Sequence, residues 1–361
     1  MINPENIFQH ANTGVNPLLI LDFRVLCWKI YPVLDNFIGT LYDQIPVTDP
    51  STGVTEWALN NDGSRQSEVE QFIKLAWISL LNRGPDMIPG ADYTVIVVDD
   101  TKRKSQESGK MEYWRHKFLR NHWKKVKKST GSLPTYRKMV KQENGRRKRM
   151  TLEYDLDDLE YKGGRSEKPK LWQDVAKIGL SYISKKTGFY YFSQSGYEAD
   201  DFAGAIVAHK RSPGASEVLR NRDVFLYTVD RDWLQLVGDG VYWCNTGPWL
   251  PRLRDEEATL ADVLKKEKVE ISHPHGIVDA KVKSGDKSDN LPAGSPREVI
   301  DLLSPPKRYD LKRKPIFKTL EAACNDYRGN IDFELCVKAT DAMMIKGYPL
   351  VITSKPYAGN F

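Results

Sequence analysis

Ten carboxylates fall in five short stretches of this chain, each beside an element boundary that the sequence predicts. Asp22 closes the apolar run Leu18-Leu19-Ile20-Leu21, and Asp99-Asp100 closes Thr94-Val95-Ile96-Val97-Val98. Asp230 and Asp232 follow Val224-Phe225-Leu226-Tyr227. Glu198, Asp200 and Asp201 open a helical pattern after Gly196-Tyr197, and Asp286 and Asp289 sit in Gly285-Asp286-Lys287-Ser288-Asp289-Asn290. Brought together, so many acids repel unless cations neutralise them. All-oxygen donors, with no histidine or thiolate among them, suit Mg²⁺ or Mn²⁺. Two such ions ~4 Å apart activate water and stabilise the leaving oxygen in phosphodiester cleavage.

Taken singly, each acid has a plainer explanation. Asp22 fits a helix N-cap as well as a ligand. Glu198 and Asp200 in a first helical turn favour the helix dipole. Asp230, Asp232 and the GDKSDN stretch could be turn formers. The ordered set carries the metal reading, because each of those explanations would have to hold independently.

The elements that must position these acids alternate. Short apolar runs at 18–21, 94–98 and 224–227 read as buried strands. Val69, Phe72, Ile73, Ala76, Trp77 and Leu80 recur at helical spacing, as do positions in 171–185 and 198–210. A helical stretch also follows from about Arg24. Residues 46–66, rich in Pro, Gly, Ser, Thr and Asn, read as a loop, and the chain from Leu260 onward reads as mainly helical. Strands alternating with helices predict an α/β fold with a mostly parallel central sheet flanked by helices. In such sheets the active crevice lies beyond the carboxyl ends of the strands, so Asp22, Asp99 and Asp230 should converge there.

The 361-residue chain carries 54 basic and 48 acidic residues, but their distribution is uneven. Lys102 to Arg149 holds 18 basic and 3 acidic residues, a local charge of +15, which leaves −9 on the rest. A basic block interleaved with aromatics on an acidic body predicts a polyanionic partner. The four cysteines are widely spaced and form no CxxC pair, which argues against a zinc site or a disulfide frame. No apolar run is long enough to span a bilayer, and the N-terminus lacks the pattern of a secretory signal, so a cytoplasmic protein is expected.

Gly196-Tyr197-Glu198-Ala199-Asp200-Asp201 resembles the EADD motif of the 5′-nucleases, a family that includes flap endonucleases and phage ribonuclease H. Thr228 to Leu236 is similar to their DxD segment, and Gly285 to Asn290 to their GDxxDN signature. The resemblance runs over about residues 17–295. Val97-Val98-Asp99-Asp100-Thr101-Lys102 with Tyr113-Trp114-Arg115 and Lys124-Lys125 most resembles the ribonuclease H of T-even phages. It implies a PIN-like core over residues 1–265, with a basic helical arch at about 101–165. A helical-hairpin region that grips duplex, followed by C-terminal helices, would fill 266–361. Asp22, Asp99, Glu198 and Asp200 would bind a first Mg²⁺. Asp201, Asp230, Asp232, Asp286 and Asp289 would serve a second. Lys124, with Arg115 and Lys127, would reach the scissile phosphate. Arg115, Lys117, Arg120, Lys124, Lys125, Lys127, Lys128, Arg146, Arg147, Lys148 and Arg149 would bind nucleic acid.

The implied activity is that of a monomeric 5′–3′ exonuclease or flap endonuclease on DNA and RNA–DNA. It would remove primers or flaps in phage-type replication, in a host cytoplasm, beside a single-stranded-DNA-binding protein. The sequence departs from the family in three places. Val229 replaces the small residue before DxD. Leu291-Pro292-Ala293-Gly294-Ser295-Pro296-Arg297 replaces a glycine-rich continuation. The arch tip from Ser129 to Arg165 carries no motif. A PIN-type ribonuclease shares the acidic sheet ends but usually lacks the basic arch and GDxxDN. A non-catalytic nucleic-acid clamp would have lost ligands, and a calcium-stabilised structural protein would leave the +15 block without a purpose.

Overall fold

Leu18–Asp22 forms β1, buried along its whole length, in the interior of a seven-stranded sheet. The structure is a computed structural model. It describes residues 17–41, 46–48, 51, 55–57, 64–82, 93–99, 114–141, 147–156, 159, 161–162, 168–186, 190–193, 196–245, 252–267, 271–304 and 330–331.

Helix α1 (Phe23–Leu41) leaves β1 directly, and a small hairpin of β2 (Pro46–Thr48) and β3 (Thr55–Trp57) follows. Helix α2 (Ser64–Asn82) leads to β4 (Tyr93–Val97). The basic block supplies α3 (Trp114–Thr130) and an antiparallel ribbon of β5 (Thr135–Lys141) and β6 (Arg147–Glu153). Next come α4 (Lys170–Lys186), β7 (Tyr190–Phe192), α5 (Ala199–Lys210), α6 (Glu217–Arg220) and β8 (Val224–Tyr227). A 3₁₀ turn (Arg231–Leu236), β9 (Val241–Asn245), β10 (Arg252–Arg254) and α7 (Glu256–Glu267) follow. A second 3₁₀ turn (Pro274–Gly276) precedes α8 (Ile277–Ser284), α9 (Arg297–Ile300) and β11 (Asn330–Ile331).

The sheet order is β10-β9-β8-β1-β4-β7-β11, parallel throughout except at β10. The alternation of a strand sends its side chains to two cores. Leu18, Ile20, Val95, Val97, Val224 and Leu226 pack on one face with α3 and α5. Leu19, Leu21, Ile96, Phe225 and Tyr227 pack on the other with α1, α2 and α4. Each such side chain, fully buried, contributes roughly 1.5–3 kcal/mol. In the second core Trp77 stacks on Phe23 at 5.4 Å, and its indole N–H donates to the Val175 carbonyl at 2.9 Å. Gly179 admits that ring, since a Cβ there would lie 2.1 Å from it.

The α/β architecture matches the sequence reading, and two local expectations do not hold. Residues 46–66 are not one loop: they hold a hairpin, and α2 already begins at Ser64. The tip of the basic block is a β-ribbon as well as a helix. Tyr136, Val140, Met150 and Leu152 share one side of the ribbon with Lys138 and Lys148, so cations interrupt the period-2 apolar pattern. Beyond Leu260, where the sequence reads as mainly helical, Asn330–Ile331 also pairs with β7 as a parallel strand. No described helix is long and apolar enough to cross a membrane.

Candidate metal centre

The three strands predicted to end in acids are neighbours, β4-β1-β8, with β1 between the other two. Strands flank β1 in both directions from here, and this is where parallel sheets open a crevice. Asp22 stands opposite Val97, and Leu21 opposite Tyr227, so Asp22 is level with Thr228. The Thr228 hydroxyl donates to Asp22 Oδ2 at 2.9 Å, and the Arg24 amide to Oδ1 at 2.9 Å. Asp99 accepts the Ala199 amide at 2.6 Å, which ties β4 to the first turn of α5. Its other oxygen meets Arg24 Nε at 2.6 Å.

Glu198 is the N-cap of α5, and it is buried. It accepts from Arg115 Nη1 at 2.8 Å, the Tyr161 hydroxyl at 3.0 Å and Lys162 Nζ at 2.6 Å. Asp200 accepts from the Trp233 indole at 2.8 Å. Asp230 caps the first 3₁₀ turn by accepting the Asp232 amide at 3.0 Å. Asp286 and Leu291 exchange backbone bonds of 2.7 and 2.8 Å, which closes the GDKSDN stretch as a loop. Gly285 opens it at φ 77, where a Cβ would stand 2.6 Å from the Leu291 carbonyl. One oxygen from each of Asp232, Asp286 and Asp289 lies within 4.8 Å of the others. Lys281 Nζ bridges this group, bonding to Asp232 and, at 2.5 Å, to Asp286.

The electrostatics record the crowding. Burial, then Asp99, pushes Asp22 up to about 7, although Arg24 opposes them. Burial, then Asp232, pushes Asp230 up to about 6. Asp200 rises well above the usual range, from burial and then Asp230. Glu198 goes the other way, to about 2, because Lys162 and Arg115 outweigh its burial. Mutual repulsion links Asp22, Asp99, Asp200 and Asp230 as one cluster. Buried acids raised by one another, with oxygen as the donor atom throughout, fit hard divalent cations.

Two predicted residues stand elsewhere in role. Arg115, expected at the scissile phosphate, is buried at 2% exposure. It forks onto Asp201 at 2.6 and 3.1 Å and onto Glu198, and its Nε donates to the Val299 carbonyl at 3.0 Å. Burial works against its charge, and Asp201, Tyr161 and Glu198 outweigh it. A guanidinium so enclosed organises acids and does not face a ligand. Asp201, expected at the second ion, is the other half of that pair. It also accepts from the Trp114 indole at 3.1 Å and the Glu198 amide at 2.9 Å, so both oxygens are engaged.

The remaining basic candidates lie outward. Helix α3 buries Trp114, Leu119 and Trp123 and exposes Lys117, Lys124, Lys125, Lys127 and Lys128, with Arg120 half-buried. Arg147, Lys148 and Arg149 are exposed on β6, and Arg146 and Asp100 fall outside the described residues. Sequence reasoning missed Arg24, Tyr161, Lys162 and Lys281. Arg24 was within reach as a cation two residues after an acid at a strand end; the others carried no local signal. Gln235, in the DxD segment, is buried and has a packing role. Its amide donates to the Ile300 carbonyl at 3.1 Å and accepts from the Leu302 amide at 2.8 Å.

Residues 116–270 match a family model described as 5′–3′ exonuclease, N-terminal resolvase-like domain. The match takes in most of α3, Glu198 to Asp201, Asp230 and Asp232; Asp22, Asp99, Asp286 and Asp289 lie outside it. No curated protein matches the chain. Among solved structures, a bacteriophage T5 protein co-crystallised with metal ions is 15% identical, at a TM-score of 0.38, over 91% of this chain and 84% of that one. The T5 5′-exonuclease with bound zinc is also 15% identical, at a TM-score of 0.34, over 92% and 87%. A T5 flap endonuclease in a pseudo-enzyme–product complex with DNA and metal ions is 14% identical, at a TM-score of 0.37, over 92% of each chain.

Proposed function

We propose that this protein is a divalent-cation-dependent 5′-nuclease that hydrolyses phosphodiester bonds of DNA and RNA–DNA at a 5′ end or flap. One observation carries the reading: acids from five chain segments gather beyond the carboxyl ends of β4, β1 and β8, beside a helix that exposes a row of lysines. The family match over residues 116–270 supports the same class. Asp22, Asp99, Glu198 and Asp200 would hold one Mg²⁺, and Asp230, Asp232, Asp286 and Asp289 a second. Ions there would supply a water acidic enough to attack phosphorus and would stabilise the leaving oxygen. Lys124 and Lys127, with Lys117, Arg120, Lys125 and Lys128, would draw the backbone of the strand along α3. Arg147, Lys148 and Arg149 would attract phosphates through the ribbon. Arg115 and Asp201 would keep Glu198 placed. Residues beyond 266 would hold the duplex beside the cut, in a monomer that works in primer or flap removal alongside a single-stranded-DNA-binding protein.

The test is cleavage of a labelled 5′-flap substrate with Mg²⁺ and with a chelator. Mg²⁺-dependent products ending in 5′-phosphate and 3′-hydroxyl are expected. Equal cleavage in excess chelator, or no cleavage of flap, nicked and RNA–DNA substrates, would refute the proposal. Cleavage confined to single-stranded RNA would favour the PIN-type ribonuclease.

A further inference from the structure

The basic excursion returns to the core through Leu159 and Tyr161, both buried beside Trp123 and Leu133. Tyr161 there reaches two acids from different motifs. Its hydroxyl lies 3.0 Å from Glu198 Oε2 and 3.0 Å from Asp289 Oδ2. The next residue repeats the link by other atoms. The Lys162 amide donates to the Asp289 carbonyl at 2.9 Å, and its Nζ reaches Glu198 Oε1 at 2.6 Å. Lys162 holds φ at 55°, a left-handed conformation that is uncommon for a side-chain-bearing residue. The backbone therefore bends so that two adjacent residues grip the same pair of acids.

We infer that Tyr161 and the Lys162 backbone are positioning groups that set Glu198 and Asp289 at a fixed separation, so that the two acid groups take up divalent cations as one unit, and that the Lys162 ammonium is a counter-charge an ion must displace. The inference rests on the metal-dependent reading above. The two residues act with opposite sign. The Tyr161 hydroxyl is neutral and carries one proton, so it donates to Glu198 or to Asp289 at a time; an ion shared near the second oxygen relieves the contact left without a proton, and the hydroxyl so favours an incoming ion. The Lys162 ammonium holds one Glu198 oxygen as a counter-charge and competes with an ion for it. Sequence gave no sign of either, since Tyr161-Lys162-Gly163-Gly164 matches no motif.

Mn²⁺ titration of the full chain, read by the loss of the free-ion paramagnetic resonance signal, separates the roles without an activity assay. Tyr161→Phe removes one oxygen and keeps the ring; Mn²⁺ affinity should weaken by about tenfold, the scale of lost support behind a ligand. Lys162→Gly fits φ 55° without strain. Affinity should then tighten by about tenfold, the scale of removing one charge at hydrogen-bond range. A merely structural pair would shift the chelator-treated melting temperature and leave both affinities alone, or would weaken both. Either result overturns the inference, as does wild-type affinity in whichever variant is folded. A wild-type chain that binds no Mn²⁺ would instead sink the metal-dependent reading itself.

Discussion

Raising the pH should destabilise the metal-free protein, and divalent ions should cancel much of that loss. Asp22 stands at about 7 in the folded chain against an ordinary 3.8, through burial and then Asp99. At ~1.36 kcal/mol per pH unit, this difference corresponds to roughly 4 kcal/mol. Because the folded value is raised, the fold binds the Asp22 proton more tightly than the unfolded chain does. That stabilisation is complete below pH 3.8 and is lost as pH rises through about 7. Asp230, raised to about 6 by burial and Asp232, adds in the same direction over a lower window, without a simple sum because the acids share their titration. Glu198, lowered to about 2, contributes stability that fades only as pH falls toward that value, so it is constant above about pH 5. Urea denaturation of wild type and Asp22→Asn, from about pH 5 to about pH 8 in chelator, isolates the effect. The variant mimics the protonated acid, so its advantage should grow with pH toward roughly 4 kcal/mol. Saturating Mg²⁺ should reverse the order, because ions bind the ionised acid. Parallel pH profiles for the two proteins in chelator would refute the reasoning.

Other outcomes test single contacts. Lys281→Met removes the ammonium between Asp232 and Asp286 and should tighten Ca²⁺ binding in calorimetry; unchanged or weaker binding would show that Lys281 does not compete with the ion. Arg115→Met leaves Asp201 and Glu198 without their buried partner and should lower stability by about 3–5 kcal/mol, measured by denaturation. A variant as stable as wild type would contradict the buried fork. Lys124→Ala should slow single-turnover cleavage at saturating enzyme. Neutralising Arg147, Lys148 and Arg149 should instead weaken binding and flatten its salt dependence. Wild-type single-turnover rate for Lys124→Ala would leave that residue a docking contact. Gly204→Ala should destabilise by about 1–3 kcal/mol, because its Cβ would lie 2.0 Å from the Leu302 carbonyl.

Much of this site was legible from type and position alone. Asp22, Asp99 and Asp230 end apolar runs, and the rule that parallel sheets open beyond their strand ends is enough to bring them together. The GDKSDN loop and the first turn of α5 were equally local signals. What resisted reading were the cations that meet the acids. Arg115 looks in sequence like any other member of a basic helix, and its burial depends on Glu198 and Asp201, which are remote in the chain. Lys162 answers to Glu198 in the same way, and Lys281 to Asp232, although its second acid, Asp286, lies only five residues on. Local patterns report local periodicity, and an ion pair closed across the fold has none. The ribbon of β5 and β6 escaped for a different reason, since its apolar alternation is diluted by so many charges.

The acids are contributed from residue 22 near one end of the described chain to residue 289 near the other, with the basic excursion between. No contiguous fragment carries the whole set. A chain emerging from the ribosome would complete β1, β4 and their helices long before Asp286 and Asp289 existed. Long-range closure of this kind is slow, because loop entropy is lost before the contacts form. On the proposed reading it would also act as a safeguard, since a half-made chain would have basic surface to meet nucleic acid but lack its full set of acids. Competence to cut, on the proposed reading, would arrive in one step and late, when the loop after α8 docks against Tyr161.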